Sequence, residues 1–172
     1  MNDNIDLNKL PPDVKKEFMK YALKLSEKKT KSKVYDDFLT FVKHVWPEFI
    51  EGDHHKIIAE KFNRLARGEV KRLIINMPPR HTKSEFASNL LPAWMIGRKP
   101  DLKIIQTTHT TELAVRFGRK AKTLIDSPEY QQIFQTRLRE DSQAAGKWET
   151  EQGGEYYAAG VGSAITGRGA DL

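Results

Sequence analysis

The residue types best suited to chemistry crowd into one stretch, Met77-Pro78-Pro79-Arg80-His81-Thr82-Lys83-Ser84-Glu85-Phe86. It follows the short β-rich run Val70–Met77 and leads into Phe86, Ala87, Leu90, Leu91, Trp94 and Met95, which recur at helical spacing. A Lys-Ser pair at a strand-to-helix turn suits a triphosphate. Backbone N–H groups wrap the β-phosphate, the ammonium neutralises the β and γ oxygens, and the hydroxyl ligates Mg²⁺. The unsatisfied N–H groups and dipole of the helix start add to the attraction.

The common form of such a loop, G-x-x-x-x-G-K-[ST], would place glycines at Met77 and Thr82. Pro78-Pro79 can stiffen a turn that lacks the first. The second lets the backbone approach the phosphate, and a positive φ is costly for a β-branched residue such as Thr82. The bare pattern therefore fails, while its setting between strand and helix agrees and Arg80 supplies a second cation. On spacing alone, a Lys-Ser pair opening a solvated helix explains the stretch equally well.

The flanking segments must position this loop. Residues 1–10 read as a flexible lead. Pro11-Pro12 open a helix whose apolar stripe is Val14, Phe18, Tyr21 and Leu25, and "SEKKTKSK" (Ser26–Lys33) reads as a polar connector. A second helix carries Tyr35, Phe38, Phe41, Val42 and Val45 and closes at Trp46-Pro47. A third starts near Asp53, carries Ile57, Ile58, Phe62 and Leu65, and stops at Gly68. Beyond the loop, Pro92 should kink or shorten the helix. "DLKIIQTT" is a second buried strand, and Thr110 or Thr111 caps a helix ending at Ser127-Pro128. "KWETEQGGEYYAAGVG" reads as a hairpin. The order predicts an α/β fold with a mostly parallel sheet over residues 69–172, preceded by a helical lead over 1–68.

Composition sets the outer bounds. Among 172 residues, 38% are hydrophobic and 30% charged, an ordinary globular balance. No apolar run approaches the ~20 residues of a membrane span. The first residues have neither the basic start nor the apolar core of a secretory signal. Cysteine is absent, which excludes disulfides and thiolate metal sites. A net charge of +6 suits a polyanionic partner and equally a solvated basic surface.

"IINMPPRHTKSEFAS" resembles the variant Walker A loop of tailed-phage large terminase subunits, the DNA-packaging motors. Arg80, Lys83 and Ser84 match that loop, and Thr82 departs from its glycine. "FVKHVWPEFIEGDHHKIIAEKF" looks like the segment upstream of the loop in that family. "LKIIQTTHTTELAVRFGRKAKTLI" looks like its second strand and helix, and "GSAITGRGADL" like the entry to the Walker B strand. The similarity spans about Phe41 to Leu172.

The resemblance implies a P-loop NTPase of the additional-strand, catalytic-glutamate type. It implies ATP with Mg²⁺, and a homo-oligomeric ring translocating double-stranded DNA into a procapsid from the host cytoplasm. Portal protein and small terminase subunit are the implied partners, and the complete protein would also be an endonuclease. The implied nucleotide contacts are Pro79, Arg80, His81, Thr82, Lys83 and Ser84. Lys83 would bind the β/γ phosphates, Ser84 the Mg²⁺, and Arg80 the charge of the hydrolysis transition state. Arg168 is the implied finger toward a neighbouring subunit, with a surface-turn arginine as the alternative. His54 or His55 would lie near the adenine, against the plainer reading of a histidine at a helix start. Asp171 precedes the expected Walker B run, so the chain as given is expected to bind nucleotide poorly and to hydrolyse it slowly, if at all. The alternatives are a helicase-like P-loop translocase and a non-hydrolysing nucleic-acid-binding or assembly module. Thr82 and the missing Walker B acids count for the latter. Arg116, Arg119, Lys120 and Lys122 on one helix could meet DNA phosphates, against the plainer reading of a solvated face.

Overall fold

The computed structural model describes residues 11–172, so the flexible lead expected for 1–10 lies outside the described residues. Helix α1 spans Pro12–Asp36 and runs straight through Ser26–Lys33. The connector expected there is helical, because lysine, glutamate and serine are tolerated on a solvated helix face. The stripe Val14, Phe18, Tyr21, Leu25 is exposed, and only Val34 of α1 is buried. No helix of the described residues is long and apolar enough to cross a membrane.

Helices α2 (Phe38–Val45) and α3 (Asp53–Ala66) form close to where their periodicity places them, but Tyr35, expected in the second helix, belongs to α1, and Ile57 of the third stripe is exposed. Asp37 caps α2 by accepting from Thr40 N–H at 2.8 Å. Gly68 follows α3 at φ 76°, a conformation glycine adopts without steric cost. Past the loop, α4 (Lys83–Glu85), a π segment (Phe86–Leu90) and α5 (Leu91–Arg98) make one helical run. The sequence expectation at Pro92 is a kink or a shortened helix. The chain instead widens by one residue, with Leu91 N–H bonding Phe86 O. The wide turn precedes the ring that cannot donate, so the run continues.

The sheet departs from expectation. Strands β1 (Lys103–Thr108), β2 (Leu138–Ala144), β3 (Lys147–Thr150) and β4 (Glu155–Gly160) lie in the order β1-β4-β3-β2. Only β1 and β4 pair in parallel, while β3–β4 and β2–β3 are antiparallel. The mostly parallel sheet is thus corrected to a mixed, mainly antiparallel one. The first expected strand, Val70–Met77, joins no ladder among the described residues. It is extended: Leu73, Ile75 and Met77 turn toward the core, and Ile74 between them is 86% exposed. Side-chain alternation is present, but no described strand lies alongside to bond its backbone. Helices α6 (Thr111–Ile125) and α7 (Pro128–Ile133) complete the chain's elements. Thr110 caps α6 by accepting from Leu113 N–H.

One hydrophobic cluster draws residues from both sides of position 68. Phe38 sits fully buried at its centre, edge-on to Phe62 at 5.0 Å, Phe86 at 5.4 Å and Trp94 at 5.4 Å between ring centroids. Edge-to-face contacts of this kind add to area burial. They tie α2 and α3 to the helical run that opens at the loop.

Candidate functional site

The loop is shaped by two residues in the left-handed region, Arg80 at φ 64° and Thr82 at φ 59°, ψ 5°. Thr82 therefore adopts the conformation a glycine would supply, despite its branched Cβ. Such residues cost on the order of 1–3 kcal/mol and persist where neighbours enforce them. A left-handed residue followed directly by right-handed helix lets successive N–H groups converge into a concave, anion-attracting nest.

A chain of hydrogen bonds runs from Gly52 to Thr82. Gly52 N–H donates to His55 Nδ1 at 2.9 Å, which leaves the proton of a neutral imidazole on Nε2. Nε2–H then donates to Thr82 Oγ1 at 2.6 Å, and Thr82 O–H donates to the His81 carbonyl at 2.6 Å. His55 is buried, packed against Phe49 and Phe86, with His54 at 3.8 Å between ring centroids. Burial, then the neighbouring His54, hold its pKa below the usual imidazole range; Glu51 opposes them and His81 adds to them. The neutral form that the chain requires is therefore the favoured one.

The same chain changes what the helix start offers. A threonine at the N-cap usually accepts from the first-turn N–H groups. Here Thr82 holds that position with its hydroxyl committed to His55 and His81, and makes no capping bond. The first closed bond is Phe86 N–H to Thr82 O. The N–H groups of Lys83, Ser84 and Glu85 precede it and have no intrahelical acceptor.

Arg80, His81, Lys83 and Ser84 are all exposed. Among the described residues, neither the Arg80 nor the Lys83 side chain has an ion-pair or hydrogen-bond partner. His81 Nδ1 is 2.9 Å from the Pro79 carbonyl, which steadies the turn. Glu85 is ion-paired with Lys120 of α6, which removes that lysine from the basic face proposed for α6. Arg116 and Arg119 remain exposed there.

The structure thus gathers Pro79–Ser84 and His55 in one place. Arg168 is engaged elsewhere: Nη1 bonds Glu155 Oε1 at 2.6 Å, and the guanidinium lies 3.9 Å from the Tyr157 ring centroid, both on β4. Asp171 is also committed, its Oδ2 accepting from Lys103 N–H at 2.9 Å at the start of β1. Sequence reasoning missed the Gly52–His55–Thr82 chain and the Glu85–Lys120 pair. The first left one trace, a histidine three positions after a glycine at a helix start, where N3 can reach back to the N-cap. No protein-family model, curated protein or solved structure matches this chain.

Proposed function

We propose that this chain binds the triphosphate of ATP with Mg²⁺ at Pro79–Ser84, as the nucleotide-binding part of a DNA-packaging motor of the phage terminase type. One observation carries this reading. A threonine is held in a glycine-like conformation at a helix start, its capping hydroxyl is turned away, and two unpaired cations flank the open N–H groups. A threonine at a purely structural helix start ordinarily caps it. This one leaves donors and positive charge for an anion.

The donor set fits the ligand. Lys83 supplies a point charge for the β/γ oxygens and Arg80 a planar fork for the γ-phosphate. The exposed Ser84 hydroxyl offers an oxygen, the ligand type Mg²⁺ prefers. Bound Mg²⁺ would screen phosphate charge during transfer. Asp171 is not assigned as its carboxylate partner: its Oδ2 already accepts from Lys103 N–H at the start of β1. The extended Leu73–Met77 segment delivers the chain to the loop in the manner of a strand, although it has no ladder of its own. DNA, portal protein, the small subunit and the ring belong to this reading through the terminase resemblance.

Lys83→Ala tests it. Lys83 is exposed and unpartnered, so folding stability should change by no more than about 0.5 kcal/mol. Losing a charge-assisted contact to phosphate should weaken Mg-ATP binding by about 1.5–3 kcal/mol, or roughly tenfold to a hundredfold. Calorimetric titration with a parallel melting curve separates the two effects. Equal affinity for wild type and variant overturns the reading, as does intact hydrolysis and DNA translocation by a complete motor carrying Lys83→Ala.

A further inference from the structure

We propose that His55 is a positioning residue for the phosphate loop, and that its bond to Thr82 takes the place of the missing loop glycine. The inference rests on the nucleotide-binding reading and gives His55 a role away from the base. Its imidazole has both nitrogens committed, Nδ1 accepting from Gly52 N–H and Nε2–H donating to Thr82 Oγ1. Neither is left to read an adenine. The ring is buried between Phe49 and Phe86, so its position is set by packing on both sides.

The physical task is to keep Thr82 at φ 59° and its hydroxyl off the helix start. Released from His55, the hydroxyl has a competing local acceptor role, capping the N–H groups of the first turn. That rotation would satisfy the donors a phosphate needs and let Thr82 relax toward negative φ. A glycine has neither a hydroxyl to divert nor a Cβ to strain. The dependence on His55 should therefore vanish when Thr82 is replaced by glycine.

The test is a double-mutant cycle read by Mg-ATP affinity in the full chain. His55→Asn keeps an acceptor near Gly52 N–H but cannot reach Thr82, so it spares the start of α3. It should weaken binding about fivefold, the usual worth of one such hydrogen bond. His55→Gln restores a donor at the Nε2 position and should recover most of that loss. In the Thr82→Gly background, His55→Asn should change affinity by less than about twofold, the scatter of independent sites. An equal loss in both backgrounds, or none with Thr82 present, overturns the proposal.

Failure of the underlying reading shows differently, as wild-type chain that binds neither Mg-ATP nor inorganic tripolyphosphate. The urea midpoint then decides the His55–Thr82 link. A His55→Asn loss that Thr82→Gly relieves supports it, and one that Thr82→Gly leaves unchanged overturns it.

Discussion

Gly118→Ala is the perturbation for which sequence and structure give opposite signs. In the interior of a fifteen-residue helix, replacing glycine by alanine ordinarily stabilises by about 1 kcal/mol. Gly118 lies where α6 crosses the sheet. A Cβ there would fall well inside contact distance of the Ala145 carbonyl oxygen and 2.9 Å from Tyr156 Cε1. Neither neighbour yields easily. The first is backbone. The second is a fully buried ring stacked on Trp148 at 4.8 Å and 4°, and the Trp148 indole N–H donates back to Gly118 O at 3.1 Å. Overpacking costs about 1–3 kcal/mol, and two stiff neighbours place this site at the upper end. Set against the propensity gain, the net loss is about 2 kcal/mol. For a chain of this size that lowers Tm by about 4–8 °C. Urea unfolding followed by Trp fluorescence reads it directly, with exposed Arg119→Ala on the same helix as a control that stays within about 0.5 kcal/mol. A Gly118→Ala chain as stable as wild type, or more stable, would refute the close approach of α6 to β4.

Asp37 and Arg168 carry the remaining outcomes. Asp37 accepts from Thr40 N–H, Thr40 Oγ1 and Asn63 Nδ2 at 2.6–2.8 Å, so Asp37→Ala should cost about 2 kcal/mol in chemical unfolding. Burial opposes its charge, but the Thr40 and Asn63 bonds and nearby Lys43 outweigh it and depress the folded pKa. That contribution is complete above the unfolded value of about 3.9 and is lost as pH falls through the lower folded value. The stability gap between wild type and Asp37→Asn should accordingly narrow as pH drops from about 6 to about 2.5, and a constant gap would contradict the assignment. Arg168→Ala removes a half-exposed ion pair and a ring contact, and should cost no more than about 1 kcal/mol. If Arg168 also serves a neighbouring subunit, mixing Arg168→Ala with Lys83→Ala subunits of the complete motor restores some hydrolysis, and no rescue at any ratio removes that role.

Helices α2, α3 and α6 were legible because each carries its own signal, whereas α7 went unread. The apolar spacing of Phe38, Phe41, Val42 and of Ile58, Phe62 fixes a buried face, and Asp37 and Thr110 cap as their types suggest. β1 and the β3–β4 hairpin were legible as β-rich runs and a Gly-Gly turn. Strand β2 was not: "LREDSQA" has no apolar alternation, and it is a strand because β3 offers it an edge. Val70–Met77 misled in the opposite sense, since strand-like composition makes a ladder only when a neighbour is present. Ser26–Lys33 misled because lysines that interrupt an apolar stripe do not interrupt a helix.

By itself the sequence determined which residues could meet a phosphate: Arg80, Lys83 and Ser84 at the head of a helical run, with glycine missing at Thr82. Those are local facts of residue type and spacing. Only the tertiary structure decided how Thr82 holds a glycine-like conformation, because the group responsible, His55, lies 27 positions away and is brought there by the packing of α3 against Phe49 and Phe86. Sheet direction was decided in the same way, since strand pairing depends on which segments the core brings side by side, and no single segment encodes that.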